Sequence, residues 1–363
     1  MQFRCTLAVS RRPFLLHTKP NFFSASRKLN MSARAYTESW LSGPHSTQFY
    51  TRTYPAASTG KPKAAFVFIH GFAEHIGRYS HIHPVLAERG VGVFAFDQRG
   101  YGLTAQDTEG KKSKGSTYGK TSWKEQMGDV QWAIEQAKKA WEGVPVFLMG
   151  HSMGGGEVLG FATQDKNSPY HATAKSLAGV IATSPLIRQS KPAPKVLRWV
   201  GSKASALSPN TLVPADVNPD DLSRDPAVGQ AYLKDKLVKQ SGSLKGISDM
   251  LSQGEALLST YYKDWPKDLP CLIIHGTEDK VTSHNASQLF LDKITAMKKH
   301  HSLYEGGYHE LQNEPNGVQQ RLTDEIIAWI EEVLTSSVTT EMNTAAKPEA
   351  AAPAESIKAD SKL

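Results

Sequence analysis

Cysteine is almost absent, with only Cys5 and Cys271 in 363 residues. Two thiols cannot build a disulfide framework, and their scarcity fits a reducing compartment. No apolar run approaches the roughly 18 residues that a membrane-spanning helix requires. His and Cys form no cluster at metal-ligand spacing, and there is no Gly-x-x-x-x-Gly-Lys phosphate loop, so neither a metal nor a nucleotide cofactor is expected. Acidic residues are missing before Glu38 and again from Lys166 to Ala215. Aromatic residues are missing from 336 to 363, a stretch rich in Ala, Pro, Glu and Lys that cannot bury a core.

The first of these gaps explains the net charge of +7. Arg4, Arg11, Arg12, Lys19, Arg27, Lys28 and Arg34 lie in residues 1–37, leaving 35 basic groups against 35 acidic ones in the rest of the chain. A charge-balanced body does not call for a nucleic-acid partner. Arg- and Ser-rich composition with interspersed Phe14, Leu15, Leu16, Phe22 and Phe23 is that of an organellar presequence. An unstructured basic tail, or translation from Met31, has the same composition. At the other end, Ser361-Lys362-Leu363 is a peroxisomal-type address that an import receptor reads at a free carboxyl terminus. It is the sharper of the two signals, so the expected location is the peroxisome, with the mitochondrion or the cytoplasm and lipid-droplet surface as alternatives.

Three parts are therefore expected: a basic extension at 1–37, a catalytic body at 38–335, and a disordered tail at 336–363. Within the body, Phe66 to Ile69, Val91 to Phe96, Val144 to Met149, Leu177 to Thr183, Leu269 to Ile274 and Ser302 to Tyr304 read as short strands. Continuous apolar strands are buried on both faces, which means a mostly parallel sheet covered by helices. Helical patterns fall at 78–89, 122–141, 152–164, 284–299 and 317–335. Alternation of the two gives an α/β fold with a doubly wound sheet, whose ligands sit at the carboxyl ends of the strands.

One strand end carries Gly150-His151-Ser152-Met153-Gly154 before a helix. A strand–turn–helix setting holds Ser152 in a strained turn, exposed at a helix N-terminus. Its hydroxyl needs a base, and the base needs an orienting acid. Asp279 and His309 each follow a later strand by a few residues, in the order serine, acid, histidine. Glu278 is the rival acid; His284, His300 and His301 are rival bases, placed within or at the end of a helix. Oxyanion donors are expected from the N–H of Met153, next after the nucleophile, and of Phe72 in the loop His70-Gly71-Phe72. A tight structural turn at His70-Gly71 is compatible with that role.

Residues about 45–335 resemble the monoacylglycerol lipase family of α/β-hydrolases, especially its fungal branch. The matching stretches are HGFAEHIGRYSHI at 70–82, FDQRGYGLT at 96–104, GHSMGGG at 150–156, SRDPAV at 223–228, HGTEDKVT at 275–282 and YHEL at 308–311. The resemblance implies Ser152, Asp279 and His309 as catalytic triad and Phe72 and Met153 as oxyanion donors. It places Glu74, Arg78 and His151 at the glycerol end of the pocket. Phe72 stands where the family often has Ala or Gly, and Gln312 occupies a further polar position three residues past His309.

The connection from Thr183 to Leu269 is too long for a simple loop, so about 185–262 is expected as a helical cap over the strand ends. Its basic residues interleave with Val196, Leu197, Trp199, Val200 and Leu207. Such a segment is either an interfacial helix that adsorbs to lipid or a cap helix packed on the core. The expected activity is cofactor-free hydrolysis of monoacylglycerol to fatty acid and glycerol through an acyl-enzyme. A lysophospholipase, a broad carboxylesterase, or a noncatalytic lipid-binding protein on the same scaffold are the alternatives.

Overall fold

The computed structural model describes residues 36–57, 60–192 and 194–345; the basic segment and the terminal Ser361-Lys362-Leu363 lie outside them. The body opens with a pair that the apolar pattern does not announce, β1 (Thr37–Ser42) and β2 (Gln48–Tyr54). The expected strands follow as β3 (Ala64–Ile69), β4 (Val91–Phe96), β5 (Val146–His151) and β6 (Gly179–Thr183). A short pair, β7 (Leu212–Pro214) and β8 (Ser241–Ser243), precedes β9 (Cys271–Gly276) and β10 (Lys299–Tyr304). The main sheet runs β1-β2-β4-β3-β5-β6-β9-β10, antiparallel at its first two pairings and parallel thereafter. This is the α/β-hydrolase fold expected from the sequence.

Strand alternation sorts the apolar side chains into two layers. Val67, Leu148, Val180 and Ile273 face one core, completed by α3 (Trp123–Ala140), α4 (Met153–Ala162), the end of α8 (Leu244–Ser259) and α9 (His284–Lys293). Phe66, Phe147, Ile181 and Leu272 face the other, closed by α1 (His83–Glu88) and by Leu322, Ile326, Ile327 and Ile330 of α10 (Val318–Ala345). Burial on both faces is why these strands lack a polar alternation. Two short helices, α2 (Gly102–Gln106) and α5 (His171–Lys175), lie in the connections after β4 and after α4.

Three helical boundaries differ from expectation. The pattern at 78–89 breaks into a 3-10 turn, Ile76–Tyr79, and α1, which starts beside Pro84, a residue suited to a first helical turn. The helix at 284–299 stops at Lys293, where Lys299 Nζ donates to the carbonyls of Leu291 and Ile294 at 2.6 and 2.8 Å. His300 and His301 therefore stand on the edge strand β10 and not at a helix end. Helix α10 continues past residue 335 into the segment expected as tail.

Between β6 and β9 lie α6 (Lys195–Leu207), the pair β7–β8, a 3-10 turn at Pro219–Asp221, α7 (Pro226–Lys234) and α8. Helix α6 packs on α8, whose Leu257 and Leu258 reach the main core.

One buried charge site is unbalanced. Asp129 pairs bidentately with Arg99 at 2.7 and 2.8 Å. Glu157 on α4 is 1% exposed, and neither carboxyl oxygen has a hydrogen-bond partner. Burial first, then the Asp129 charge, pushes its carboxyl well above the usual range, and the nearby Gln98 amide offsets only part of this. A carboxyl held neutral in the fold but ionised in the unfolded chain costs stability as pH rises above about 4.3. Glu157→Gln is therefore expected to stabilise the protein by about 1–3 kcal/mol at pH 8 and by almost nothing near pH 4. Urea midpoints of both proteins across that range check it, and a pH-independent difference would contradict it.

Candidate active site

The turn between β5 and α4 is built by close approach. A Cβ on Gly150 would lie 2.1 Å from the Gly154 carbonyl oxygen, and one on Gly154 2.2 Å from that of Ile69. No side chain fits at either place, so the strand can reverse tightly into the helix. Ser152 sits at the apex with φ 54 and ψ −117, a conformation L-residues rarely adopt, at a cost of about 1–3 kcal/mol. Its N–H is tied to the Thr183 carbonyl at 3.0 Å and its C=O accepts from Leu186 N–H at 2.8 Å. The strained residue is thus held from both sides by the end of β6 and the chain just after it.

Ser152 Oγ stands 3.0 Å from His309 Nε2, and His309 Nδ1 stands 2.8 Å from Asp279 Oδ2. An ionised carboxylate can only accept, so Nδ1 carries the proton and Nε2 is left to accept from the serine hydroxyl. His309 comes from the loop after β10, where its C=O accepts from Ser184 Oγ at 2.8 Å. Asp279 comes from the loop after β9. Its Oδ1 accepts from the N–H groups of Val281 and Thr282 at 2.7 and 2.9 Å. Its Oδ2 also receives Thr282 Oγ1 at 2.8 Å and His275 Nε2 at 3.1 Å. Glu278, the rival acid, is exposed, and His301 bonds Gln288 away from the site.

Burial alone would raise Asp279, but the His309 charge and the hydrogen bonds of His275 and His309 hold it well below the carboxylate range. Burial alone would lower His309; the Asp279 charge and hydrogen bond outweigh it and lift the imidazole above 6.5. His151, whose ring lies 4.8 Å from that of His309, moves the other way: burial and the neighbouring His309 keep it neutral.

Gly71, Phe72, Glu74, Arg78 and Glu310 join Ser152, His151 and His309 around one cavity. Arg78 Nη1 donates to Glu74 Oε2 at 2.7 Å and to Glu310 Oε1 at 2.8 Å, while Nη2 reaches Glu310 Oε2 at 2.9 Å. Its guanidinium also lies over the Tyr232 ring of α7. Met153 is the first residue of α4, so its N–H has no partner within the helix. Gln312 is buried elsewhere, beside Tyr79 and His83 in a separate small cavity.

Sequence reasoning missed Glu310, Tyr232, His275 and Thr282. Glu310 and Tyr232 meet Arg78 from distant segments, and no local pattern announces such pairings. His275 and Thr282, the two ends of the segment HGTEDKVT, had only their place in that motif as a signal.

Neutral His309 is the form that can take the serine proton, and it is lost as pH falls through a value above 6.5. Labelling of Ser152 by an alkyl fluorophosphonate is expected to fall along that limb. Asp279→Asn is expected to slow labelling by about 10⁴-fold and shift the limb to lower pH. An unshifted limb in the variant would contradict the assignment of Asp279 as the partner that raises His309.

The family described as Hydrolase_4, serine aminopeptidase S33, matches residues 60–316. A Schizosaccharomyces pombe protein named "Putative monoglyceride lipase" is 36% identical over 274 residues, covering 75% of this chain and 68% of the relative. The human monoglyceride lipase is 27% identical, covering 75% and 84%. In three dimensions the chain is similar to the Paleococcus ferrophilus monoacylglycerol lipase, with a TM-score of 0.66, 25% identity and coverage of 78% and 99%. A soluble variant of the Saccharomyces cerevisiae monoglyceride lipase gives a TM-score of 0.72 at 24% identity, covering 85% and 98%, a likeness of fold. With a serine, histidine and aspartate joined at hydrogen-bond distance on this scaffold, the chain belongs to the serine hydrolases of the monoglyceride lipase family.

Proposed function

We propose that the protein hydrolyses monoacylglycerols to free fatty acid and glycerol. The observation that carries this reading is the opening of the Ser152–His309–Asp279 relay into a cavity whose polar end is made by Glu74, Arg78 and Glu310. His309 removes the Ser152 proton as Oγ attacks the ester carbonyl, then returns it to the leaving glycerol oxygen. Water, activated by the same imidazole, releases the fatty acid. The N–H groups of Phe72 and Met153 are the donors assigned to the oxyanion. A neutral polyol that both donates and accepts hydrogen bonds suits a mixed carboxylate–guanidinium cluster.

The acyl chain has a second space available. A cavity between α6 and α8 is lined by Val213, Leu244, Ile247 and Leu251. Gly242 lies against both the Phe72 ring and Ile247, so Phe72 stands between this cavity and the serine. On this reading residues 185–262 act as the cap. Trp199, Leu207 and Leu212 expose 63%, 89% and 47% of their surface on that segment, which supports contact with a lipid surface. The Ser361-Lys362-Leu363 address supports delivery to the peroxisome. Loss of peroxisomal import on deleting residues 361–363 from a fluorescent fusion checks it, and mitochondrial delivery would favour the basic N-terminal segment.

The purified enzyme and Ser152→Ala are to be compared on monoacylglycerol, diacylglycerol and lysophosphatidylcholine. Monoacylglycerol is expected to be preferred, with turnover lost by about 10⁶-fold in the variant. Preference for the phospholipid would overturn the substrate, and equal turnover in both proteins would overturn the chemistry in favour of a lipid-binding role. Arg78→Met is expected to raise KM for monoacylglycerol about tenfold, a loss near 1.4 kcal/mol. KM for a p-nitrophenyl ester of the same chain length, which lacks the glycerol, is expected to change little.

A further inference from the structure

His70 is fully buried directly after β3, at the start of the oxyanion loop, and is not part of the cavity lining. Both ring nitrogens are engaged. The backbone N–H of Gln98, in the loop after β4, donates to His70 Nε2 at 2.8 Å. A backbone N–H can only donate, so Nε2 has no proton and Nδ1 must carry it. That proton goes to the Gly71 carbonyl oxygen, 2.8 Å from Nδ1. Gln98 also grips the His70 backbone, its side-chain amide donating to the His70 C=O at 2.7 Å. Burial keeps the ring neutral, its pKa pushed down to about 3, so the tautomer persists at any working pH.

The Gly71 carbonyl and the Phe72 N–H belong to one planar peptide unit, and in a trans peptide they point in opposite directions. Fixing the oxygen on the buried His70 side turns the Phe72 N–H to the side that Gly71, Phe72 and Ser152 line. On the preceding peptide, the Gly71 N–H is held by Glu74 Oε1. Both peptides flanking Gly71 are therefore pinned, and a Cβ at Gly71 would come within 3.1 Å of the Ser152 Cβ. A hydrogen bond to the carbonyl end also polarises the amide and strengthens its N–H as a donor.

We propose that His70 is a positioning residue for oxyanion stabilisation: clamped by Gln98, its imidazole fixes the Gly71–Phe72 peptide so that the Phe72 N–H faces the oxygen of the tetrahedral intermediate. The proposal rests on the serine-hydrolase reading above, but not on which ester is the substrate.

His70→Leu removes the clamp, whereas His70→Asn keeps an amide donor near the position of Nδ1. Both are to be tested in the full chain with two reversible ligands of equal acyl length. A trifluoromethyl ketone forms a hemiketal oxyanion with Ser152, and the matching secondary alcohol forms none. In His70→Leu, kcat and ketone affinity are expected to fall together by about 10²-fold or more, with KM and alcohol affinity within about threefold of wild type. His70→Asn is expected to recover most of the ketone preference. Equal loss of ketone and alcohol affinity, wild-type kcat in the leucine variant, or no recovery with asparagine would each overturn the proposal. Should His70→Leu fail to fold, the asparagine variant decides, since a folded protein that keeps the donor must keep the ketone preference. Wild-type protein that binds ketone no better than alcohol would instead refute the serine-hydrolase reading itself.

Discussion

Everything at the site depends on the reversal at Ser152. A serine with φ 54 is unfavourable in isolation and persists because its surroundings leave no alternative. Gly150 and Gly154 have carbonyl oxygens where a Cβ would stand, so strand, turn and helix pack closer there than other residues permit. The Thr183 and Leu186 backbones then tie the apex in place. The result is a hydroxyl that stands free of its own backbone, at the start of a helix whose first N–H points toward developing negative charge.

Around that turn the strand ends supply four buried histidines, and only one of them is lifted instead of depressed. His70, His151 and His275 are all depressed by burial. His309 is buried as well, yet it is lifted, because the Asp279 carboxylate lies on its Nδ1 side. The difference is one of partners and not of exposure. His70 meets a backbone N–H and a carbonyl, His151 the Thr183 hydroxyl at 3.1 Å, and His275 the Ser287 hydroxyl at 2.9 Å besides the shared carboxylate. Neutral rings hold backbone and carboxylate in place without adding charge next to the base.

Phe72 ties the polar and apolar halves of the site together. Its N–H lies in the loop after β3 that carries the proposed oxyanion donor, while its ring meets Tyr101 edge-on at 5.9 Å and packs beside Gly242 of β8. The segment between β6 and β9 is thereby packed against the loop after β3. Tyr232 of α7 does the same at the other end, by covering the Arg78 guanidinium. The polar and apolar sides of the site thus both draw on the segment between β6 and β9.

Local chemistry made much of this legible in the amino-acid sequence. Apolar runs of β-branched residues dictate buried parallel strands, and the glycines around Ser152 dictate a tight turn, since both effects act within a few residues. Asp279 and His309 were legible because each follows a strand closely. The pair β1–β2 was not, because its burial comes from a neighbouring strand, with no apolar periodicity of its own. The sequence favours Asp279 over the adjacent Glu278, and the fold supplies the physical reason, placing one beside His309 and leaving the other in water. The arrangement of Arg78 between Glu74 and Glu310, and the grip of Gln98 on His70, join residues far apart in the chain. Sequence by itself determined which groups are able to react; tertiary structure decided their tautomers, charges and directions, because those follow from partners that only folding brings within 3 Å or so.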